Sequence, residues 1–366
     1  MTPLSRSIAR RISLQGPISI ADFMAEALGH PQHGYYMGKD PFGRTGDFIT
    51  APEISQMFGE LVGLWCAEVW RLMGSPAPFN LIELGPGRGT LMQDALRAAR
   101  VLPDFTAAAS VHLVETSPVL RDMQAVTLGD YHTAWHDDLT HVPDGPLIVI
   151  ANEFFDALPV HQFIRTADGW RENVVTIDAD ELVLTAAPAA TAAAALLARR
   201  EPGAEGDIAE VCPAAISIST ALAERIAHNG GAALAIDYGY AEPTGAATLQ
   251  AVRRHERHDF LSDPGTADLT AHVNFRDLRD AAHPHATVYG PVTQRDFLRG
   301  LGIELRAEQL MKRATANQRA TIEGACRRLI DPAEMGTLFK ALAFCHRDMP
   351  APPAFETAPV SVATTD

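Results

Sequence analysis

The sequence has no long apolar run, no excess of positive charge and no paired cysteines. No stretch reaches the ~18 apolar residues that a membrane span requires, so no span is predicted. Lys and Arg number 30 against 45 Asp and Glu, which gives a net charge of -15. Such a charge repels a polyphosphate backbone, so nucleic acid is not the expected partner.

The four cysteines are scattered along the chain, at Cys66, Cys212, Cys326 and Cys345. This spacing fits neither a zinc site nor the disulfide framework of a secreted protein, and we predict core thiols in a reducing compartment. The 14 histidines show no metal-ligand spacing, so no metal is predicted. A Ser-His-Asp grouping and the H-E-x-x-H motif are also missing.

The N-terminal segment contains several arginines, which are also typical of a transit peptide. Leu4, Ile8 and Ile12 nevertheless recur at helical spacing, and the segment runs without a linker into patterned sequence. We therefore predict an ordinary N-terminal helix and a cytoplasmic protein, and we rank the mitochondrial matrix second.

Residues 1–75 are predicted to be mainly helical, with a helix start at Ser19. Residues 29–52 interrupt this segment with a loop that is rich in Gly and Pro and too long for a mere link. We interpret that loop as a lid over a site.

From about residue 79 the pattern changes to short apolar runs between helical stretches, which is typical of a parallel sheet with crossover helices. An insertion of about 80 residues separates the last two of these strands. It contains a predicted hairpin, WRENVVTI with ELVLTAA, and an Ala-rich stretch, 189–198, predicted as helix. The predicted strands are 80–84, 110–115, 133–136, 147–152 and 232–239.

The expected fold is therefore α/β, a Rossmann-like sheet with an N-terminal helical segment and an inserted lobe of helices and a hairpin. The predicted domains are 1–75 for the helical segment with the lid loop, 76–165 and 230–348 for the core, 166–229 for the lobe and 349–366 for a disordered tail.

A glycine-rich turn, GPGRG, follows the first predicted strand. Gly85, Gly87 and Gly89 have the spacing G-x-G-x-G, whereas a dinucleotide site needs G-x-G-x-x-G to receive a pyrophosphate. Glycines allow a positive φ and a close approach to a ligand, so the turn fits a phosphate-free nucleoside with an amino-acid tail. Glu83 is expected to face the ammonium of that tail. The alternative is a tight strand-to-helix turn without a ligand.

Polar side chains also follow the other predicted strands, at the edge where open α/β sheets bind ligands. Glu115 is expected to accept the ribose hydroxyls, although a helix cap is the alternative. Asp137 and Asp138 fit the adenine amino group, or solvated loop acids. Asn152 is expected against a sulfonium centre, with a helix cap again as the alternative.

Glu153, Asp156 and Asp237 are the predicted catalytic residues. Methyl transfer from a sulfonium is an in-line displacement, so the protein must desolvate and orient the reactants. An arginine acceptor has a pKa above about 12 and is not deprotonated in the ordinary way. Paired carboxylates are then needed to hold its guanidinium and to localise electron density on one nitrogen.

The chain resembles the MidA-like (DUF185) methyltransferases, which include the mitochondrial assembly factor of respiratory complex I. The similar segments, in the same order, include GDFITAPEISQMFGELVG, LIELGPGRGTLMQD, ANEFFDALPVHQF and GTADLTAHVNF, and the resemblance spans 16 to about 304. Asn274 replaces an Asp of the family. The resemblance implies a class I methyltransferase fold with an antiparallel last strand, S-adenosylmethionine (SAM) as cofactor and, for the mitochondrial relative, symmetric dimethylation of an arginine.

The same resemblance implies that Gly46, Phe48 and Thr50, in GDFITAP, close over the methionine end of SAM. The predicted function is a SAM-dependent methyltransferase that acts on an arginine of a protein partner, with a complex I subunit as the suggested partner. A small-molecule methyltransferase and a SAM-binding assembly chaperone with little catalysis are the alternatives. The sequence predicts no oligomeric state.

Overall fold

The computed structural model describes residues 2–38, 49–197 and 203–355 of the chain. The chain divides into two compact units. The first unit comprises Met1–Phe48, Asp156–Ile216 and Glu242–Asn274, and the second comprises Ile49–Phe155, Ser217–Ala241 and Phe275–Asp366.

Strands and helices are numbered in chain order. The strands are β1 Ile18–Ser19, β2 Phe79–Leu84, β3 Ala109–Val114, β4 Thr133–His136, β5 Leu147–Asn152, β6 His161–Thr166, β7 Gly169–Asp178, β8 Glu181–Ala186, β9 Ile208–Val211, β10 Gly231–Tyr240, β11 Gln250–Arg253, β12 Glu256–His258, β13 Asp268–Thr270, β14 Val273–Asn274, β15 Thr287–Thr293 and β16 Phe339–Cys345. The α-helices are α1 Pro3–Gln15, α2 Ile20–Gly29, α3 Tyr35–Gly38, α4 Ala51–Ile54, α5 Gln56–Leu72, α6 Thr90–Ala99, α7 Pro103–Ala108, α8 Pro118–Thr127, α9 Pro213–Asn229, α10 Phe275–Ala282, α11 Gln294–Gly300, α12 Ile303–Met311, α13 Ala316–Ile330 and α14 Met335–Leu338. Two 3₁₀ helices are Leu139–His141 and Ala192–Leu197.

The second unit is built on a sheet with the strand order β15-β16-β10-β5-β2-β3-β4. From β10 to β4 the neighbours are parallel, whereas β16 is antiparallel to both β10 and β15. Every residue of β2 and β5 is buried, as expected for strands covered on both faces. The predicted α/β class I fold, with its antiparallel last strand, is confirmed.

Helices α5 and α6 of the second unit pack unusually closely, because two glycines of α5 face α6. A Cβ on Gly63 would lie 2.5 Å from the Cα and carbonyl oxygen of Ala95, and a Cβ on Gly59 would lie 2.7 Å from the Cβ of Asp94. The two helices therefore meet almost backbone to backbone. Since α6 follows directly on the glycine turn, this contact helps to set the position of the turn.

The first unit has a hydrophobic core of its own, to which α1, α2 and the strands β7, β11 and β13 contribute. Leu4, Ile8 and Ile12 are buried on one face of α1, as their spacing predicts. Ser19 caps α2 by accepting a hydrogen bond from the backbone N–H of Asp22, which confirms the predicted helix start. The unit contains one sheet with the order β1-β7-β6-β9, where β8 also pairs with β7, and one with the order β12-β11-β13.

The inserted lobe differs in part from its prediction. The hairpin is confirmed as the antiparallel pair β7 and β8, but β6 and β9, which were not predicted, extend it into a larger sheet. The predicted helix over 189–198 is wrong within the described residues, since a short 3₁₀ helix, Ala192–Leu197, stands there. Each Ala favours the α-helix slightly, but forming the first turn of a helix costs free energy. A segment this short makes too few helical hydrogen bonds to offset that cost.

The C-terminal tail and the domain boundaries were also predicted from the sequence. Residues 349–355, assigned above to a disordered tail, are packed: the backbone carbonyl of Pro353 accepts a hydrogen bond from the indole of Trp65, and Phe355 is buried near Phe297. Residues 356–366 lie outside the described residues. The predicted domain boundaries do not coincide with the limits of the two units, and they stay predictions.

Candidate functional site

The glycine turn joins β2 to α6 in the second unit. Gly85, Gly87 and Gly89 have φ values of +62°, +55° and +81°, in the left-handed region that side chains disfavour. A Cβ on Gly85 would also lie 2.9 Å from the ring of Phe154. The backbone N–H of Gly89 closes the turn on the carbonyl of Pro86 at 2.8 Å. The turn thus forms a cradle of bare backbone that a Cβ would fill.

Glu83, near the end of β2, is a buried carboxyl with only 3% of its surface exposed. Within the described parts of the chain, its Oε2 has no hydrogen-bond partner. Burial raises its pKa to about 8, although a hydrogen bond from the backbone of Met92 opposes the shift. The group is therefore mostly protonated at neutral pH, and an arriving cation would favour its ionised form. This fits the ammonium predicted for it.

Gln124 of α8, which the sequence analysis missed, joins two parts of the site. Its side-chain amide donates to the carbonyl of Gly87 at 2.7 Å and to Oε2 of Glu115 at 3.3 Å, and its oxygen accepts from the indole of Trp135 at 2.9 Å. Gln124 is completely buried, four residues after the buried Leu120. The sequence does carry one signal for this residue, because a glutamine stands at a position where the helical spacing calls for a buried apolar side chain.

Glu115 follows β3 directly and is buried. Its Oε1 accepts a hydrogen bond from the backbone N–H of Ser117 at 2.7 Å. Burial raises its pKa, while the bonds from Ser117 and Gln124 lower it. The cap of α8 is the hydroxyl of Ser117, which accepts from Leu120. Glu115 stands where a ribose acid is expected, and that role stays a prediction.

Asp137 and Asp138 follow β4 and differ in their partners. Asp137 accepts a hydrogen bond from the guanidinium of Arg121 at 2.7 Å. Asp138 caps the 3₁₀ helix Leu139–His141 by accepting from the backbone N–H of Thr140 at 2.8 Å. The hydroxyl of Thr140 is the main cause that lowers the pKa of Asp138. The predicted adenine contact stays a prediction for both residues.

Asn152 is the last residue of β5, and Glu153 follows it directly. Glu153 has a φ of +49°, which is rare for a residue other than glycine and commonly marks a functional position. Its Oε1 accepts hydrogen bonds from the backbone N–H of Ala51 at 2.8 Å and from the amide of Asn152 at 3.2 Å. The buried Oδ1 of Asn152 has no hydrogen-bond partner among the described residues. The backbone of Glu153 is therefore strained, and hydrogen bonds hold its carboxylate in one orientation.

Asp237 lies next to this strand end, on β10, and is completely buried. Its two oxygens accept hydrogen bonds from the backbone N–H groups of Phe155, at 3.0 Å, and Tyr238, at 2.9 Å. It thereby fixes the chain that follows Glu153. Of the predicted catalytic residues, Asp237 has the contacts of a positioning residue.

Asp156, the third predicted catalytic residue, belongs to the first unit and is buried there. Two residues that the sequence analysis did not single out accompany it. Tyr36 donates to Oδ1 of Asp268 at 2.7 Å. Burial, followed by the negative charges of Asp268 and Asp156, raises the pKa of Tyr36 well above its ordinary value. Asp268 lies in the segment GTADLTAHVNF, so the resemblance was the signal that could have found it.

The predicted lid is described only in part. Gly46 and Phe48 lie outside the described residues. Thr50 is buried at the N-cap position of α4, where its side chain makes no capping hydrogen bond. Glu53 of the same helix accepts a hydrogen bond from the hydroxyl of Thr90, which follows the glycine turn, at 2.6 Å. Sequence reasoning missed that contact.

Across the described ranges, no three or more His, Cys, Asp and Glu residues come together as they would around a metal ion. None of the helices in those ranges has the length and apolar content of a bilayer crossing.

Comparisons with known proteins show which proteins this chain is similar to. A model of a family of S-adenosyl-L-methionine-dependent methyltransferases matches residues 61–292. The protein arginine methyltransferase NDUFAF7 of Mus musculus mitochondria is 41% identical over 371 residues, covering 94% of this chain and 84% of its own length. The Drosophila melanogaster homologue is 41% identical over 373 residues, covering 93% and 84%.

A solved structure from Burkholderia thailandensis, with S-adenosyl-homocysteine bound, is also similar. It has a TM-score of 0.83 and 30% sequence identity, and the match covers 98% of this chain and 95% of that one. The bound ligand is the demethylated product of SAM. The cradle of bare backbone and the buried Oε2 of Glu83 fit such a cofactor.

The predicted cytoplasmic location is contradicted, because these curated relatives are named as mitochondrial proteins. The prediction rested on reading the first residues as an ordinary helix. They do form α1, but a helix whose apolar face is buried carries no information about the compartment. The cofactor, by contrast, is SAM as predicted, and the chain belongs to the family of S-adenosyl-L-methionine-dependent methyltransferases.

Proposed function

We propose that this methyltransferase acts on an arginine side chain of a protein partner, and that the partner is a subunit of respiratory complex I. The observation that carries the proposal is the carboxylate of Glu153, held at the carboxyl end of β5 by a left-handed backbone and two hydrogen bonds. Relatives named protein arginine methyltransferases, 41% identical over 94% of the chain, support arginine as the acceptor.

When bound, SAM supplies the methyl group and a sulfur that leaves with the electron pair of the broken carbon–sulfur bond. The residues of the chain have to present a guanidinium nitrogen in line with that bond and to take up the proton that the nitrogen loses. Glu153 is suited to both tasks, because a carboxylate accepts N–H bonds from a guanidinium and leaves lone-pair density on the remaining nitrogen.

Asp237 acts in this proposal through the backbone. By accepting from Phe155 and Tyr238, it holds the segment that carries Glu153 against the end of β10. The predicted role of Asp156, which belongs to the first unit, stays a prediction. A preformed, oriented acceptor such as Glu153 avoids reorganisation when charge moves during transfer.

The charge of the chain supports a basic partner. A net charge of -15 attracts a segment rich in Arg and Lys and speeds its encounter with the enzyme. A small neutral acceptor would gain nothing from that field.

The experiment is to incubate the purified chain with methyl-tritiated SAM and a mitochondrial lysate. We expect label on a protein band, and acid hydrolysis of that band should release methylated arginine. Label confined to small molecules, or tight SAM binding without transfer, would contradict the proposal. The Glu153→Gln variant, assayed in parallel, distinguishes enzymatic label from contamination.

The partner is tested separately by identifying the labelled band by mass spectrometry. A complex I subunit supports the whole proposal. Methylarginine in an unrelated protein keeps the arginine activity and overturns the partner.

A further inference from the structure

Strand β8 lies at the edge of a sheet of the first unit. Within the described ranges it pairs with β7 alone, and no backbone hydrogen bond reaches its outer side. We propose that this edge binds the same edge of a second copy of the chain, so that the two β8 strands pair antiparallel across a two-fold axis. The inference does not depend on the methyl acceptor.

The hairpin that joins β7 to β8 determines which groups of β8 face outward. Its loop consists of Ala179 and Asp180, whose φ values of +46° and +68° fit a type I′ turn. In such a two-residue hairpin the flanking residues, Asp178 and Glu181, form a hydrogen-bonded pair, and every second pair beyond them does the same. The residues whose N–H and C=O groups point away from β7 are therefore Leu182, Leu184 and Ala186.

One hydrogen bond beyond the strand agrees with this alternation. The backbone N–H of Ala187 donates to the carbonyl of Glu172 at 2.8 Å. Ala187 lies an even number of residues after Glu181, so both belong to the set that bonds to β7. The residues between them in this alternation then have their main-chain groups free at the edge.

The edge lacks the features that usually protect an exposed strand. It contains no Pro and no Lys, and its register against β7 runs without a bulge from Glu181 to Ala186. Leu184 is 40% exposed, and Thr185 and Ala186 are exposed as well. A regular, largely apolar edge with free N–H and C=O groups is a template for another strand. We therefore expect a strand to cover it.

The sequence of β8 is complementary to itself. A two-fold axis at Leu184 places this residue opposite its counterpart in the second copy, and Leu182 opposite Ala186. Every outward N–H and C=O group of the strand then has a partner, and the exposed side chains of Leu184 cover one another. Glu181, the one charged residue of the strand, lies opposite Ala187, so no like charges face each other. A second copy therefore fits the edge.

The size and the charge of the surface predict the strength of the association. One pair of short strands buries less than the ~1,200 Å² of a stable interface, so we expect a reversible dimer with a Kd on the order of 10 µM. The net charge of -15 on each copy opposes association by long-range repulsion, which salt screens. The dimer should therefore become stronger as the salt concentration rises, whereas a basic segment of another protein would bind more weakly.

The test uses the position of residue 184 opposite itself. Sedimentation velocity of the full chain is measured for wild type, Leu184→Lys, Leu184→Glu and an equimolar mixture of the two variants. Each variant alone places like charges across the axis, so its Kd should rise at least about 10-fold. The mixture places a cation opposite an anion and should recover a Kd within about threefold of wild type. Leu14→Lys, the same exchange at a residue of α1 that is 75% exposed, is the matched control and should dimerise as wild type does.

A second measurement does not depend on charge. The Cα atoms of a hydrogen-bonded antiparallel pair are about 5.5 Å apart, a distance that a disulfide spans. Leu184→Cys should therefore form a covalent dimer on mild oxidation, whereas Val183→Cys, which lies opposite Thr185 of the second copy, should not. Wild type, oxidised in parallel, accounts for the native thiols.

The proposal is overturned by any of the following results. A wild-type chain that stays monomeric at about 200 µM would leave the edge to a different partner. Leu184→Lys and Leu184→Glu variants that dimerise like wild type would place the contact on another surface. A mixture of these variants that stays monomeric, or equal yields of covalent dimer from the two cysteine variants, would rule out pairing at Leu184. Should the charged variants fail to fold, the cysteine variants decide the question.

Discussion

The glycine turn and the end of β5 both contain residues with a positive φ, and the two places accommodate this conformation in different ways. In the turn, Gly85, Gly87 and Gly89 adopt positive φ at little cost and leave their backbone bare. At the end of β5, Glu153 adopts a positive φ although it has a side chain, and hydrogen bonds hold it there. The turn is therefore suited to close contact with a cofactor, and the strand end to precise placement of one carboxylate.

This difference predicts separate effects on catalysis and on binding. The Glu153→Gln variant should lower the rate of methyl transfer about 10²- to 10⁴-fold, because the amide neither holds a guanidinium cation nor takes its proton. SAM affinity should stay within about twofold. Initial rates with tritiated SAM and calorimetry measure the two quantities. Glu181→Gln, at an exposed position of β8, is the control and should change neither. An unaltered rate in Glu153→Gln would remove that residue from catalysis.

The converse variant is Gly87→Val, which should weaken SAM binding about 100-fold or more. Valine disfavours the φ of +55° and puts a branched side chain where we expect the backbone to face the ligand. Gly206→Val is the matched control, since Gly206 has a φ of +92° and no atom within 4 Å of the added Cβ. It should lose folding stability but keep its SAM affinity. Equal SAM affinities in the two variants would disprove the assignment of the turn.

The raised pKa of Glu83 predicts that cofactor binding depends on pH. With a pKa of about 8, Glu83 binds a proton at pH 6 that must leave before its carboxylate meets the ammonium. SAM affinity should therefore rise with pH up to about 8, by at most about tenfold per pH unit. Binding at pH 7 should release a proton, which calorimetry detects in buffers of different ionisation enthalpy. Glu83→Gln should bind more weakly and release none, and an equal release in this variant would show that another group titrates.

The same shift has the opposite sign for stability in the absence of SAM. Because the folded state retains the proton of Glu83 to higher pH than the unfolded state, its contribution to the free energy of unfolding falls as pH rises from about 4.5 to about 8. Urea unfolding of wild type and Glu83→Gln across that range would show the difference. A parallel pH dependence in the two proteins would rule out this contribution.

The smallest expected effect concerns the helices behind the turn. Gly63→Ala should reduce the free energy of unfolding by about 1–2 kcal/mol, because the added Cβ meets the backbone of Ala95 at 2.5 Å. Gly324→Ala, on α13, meets no atom within 4 Å and should instead add up to about 1 kcal/mol. Urea denaturation measures both. A Gly63→Ala variant as stable as wild type would mean that α5 and α6 can separate without cost.

The sequence predicts the central strands of the second unit well because buried apolar residues dominate them. β2, β5 and β10 begin and end within one residue of their predicted limits. The short strands β6 and β9 were missed, since only part of each is buried and the pattern of so few residues is ambiguous.

The polar residues of the candidate site were predicted where they directly follow a strand, as Glu115 and Glu153 do. Contacts between distant segments left no local pattern. Ala51 and Glu153 are 102 residues apart, and Glu53 and Thr90 are 37 apart. Gln124 shows the same limit, because its role depends on a carbonyl and a carboxylate from two other elements.

Gln124 restricts how the candidate site can be redesigned. Its amide provides donors for Gly87 and Glu115 and an acceptor for Trp135. A glutamate of the same shape lacks the donors, and a leucine of similar size satisfies none of the three. An engineer who exchanges Glu115, the expected ribose acid, must therefore provide a new partner for this amide at the same time. Variant libraries for such work should change positions 115 and 124 as a pair.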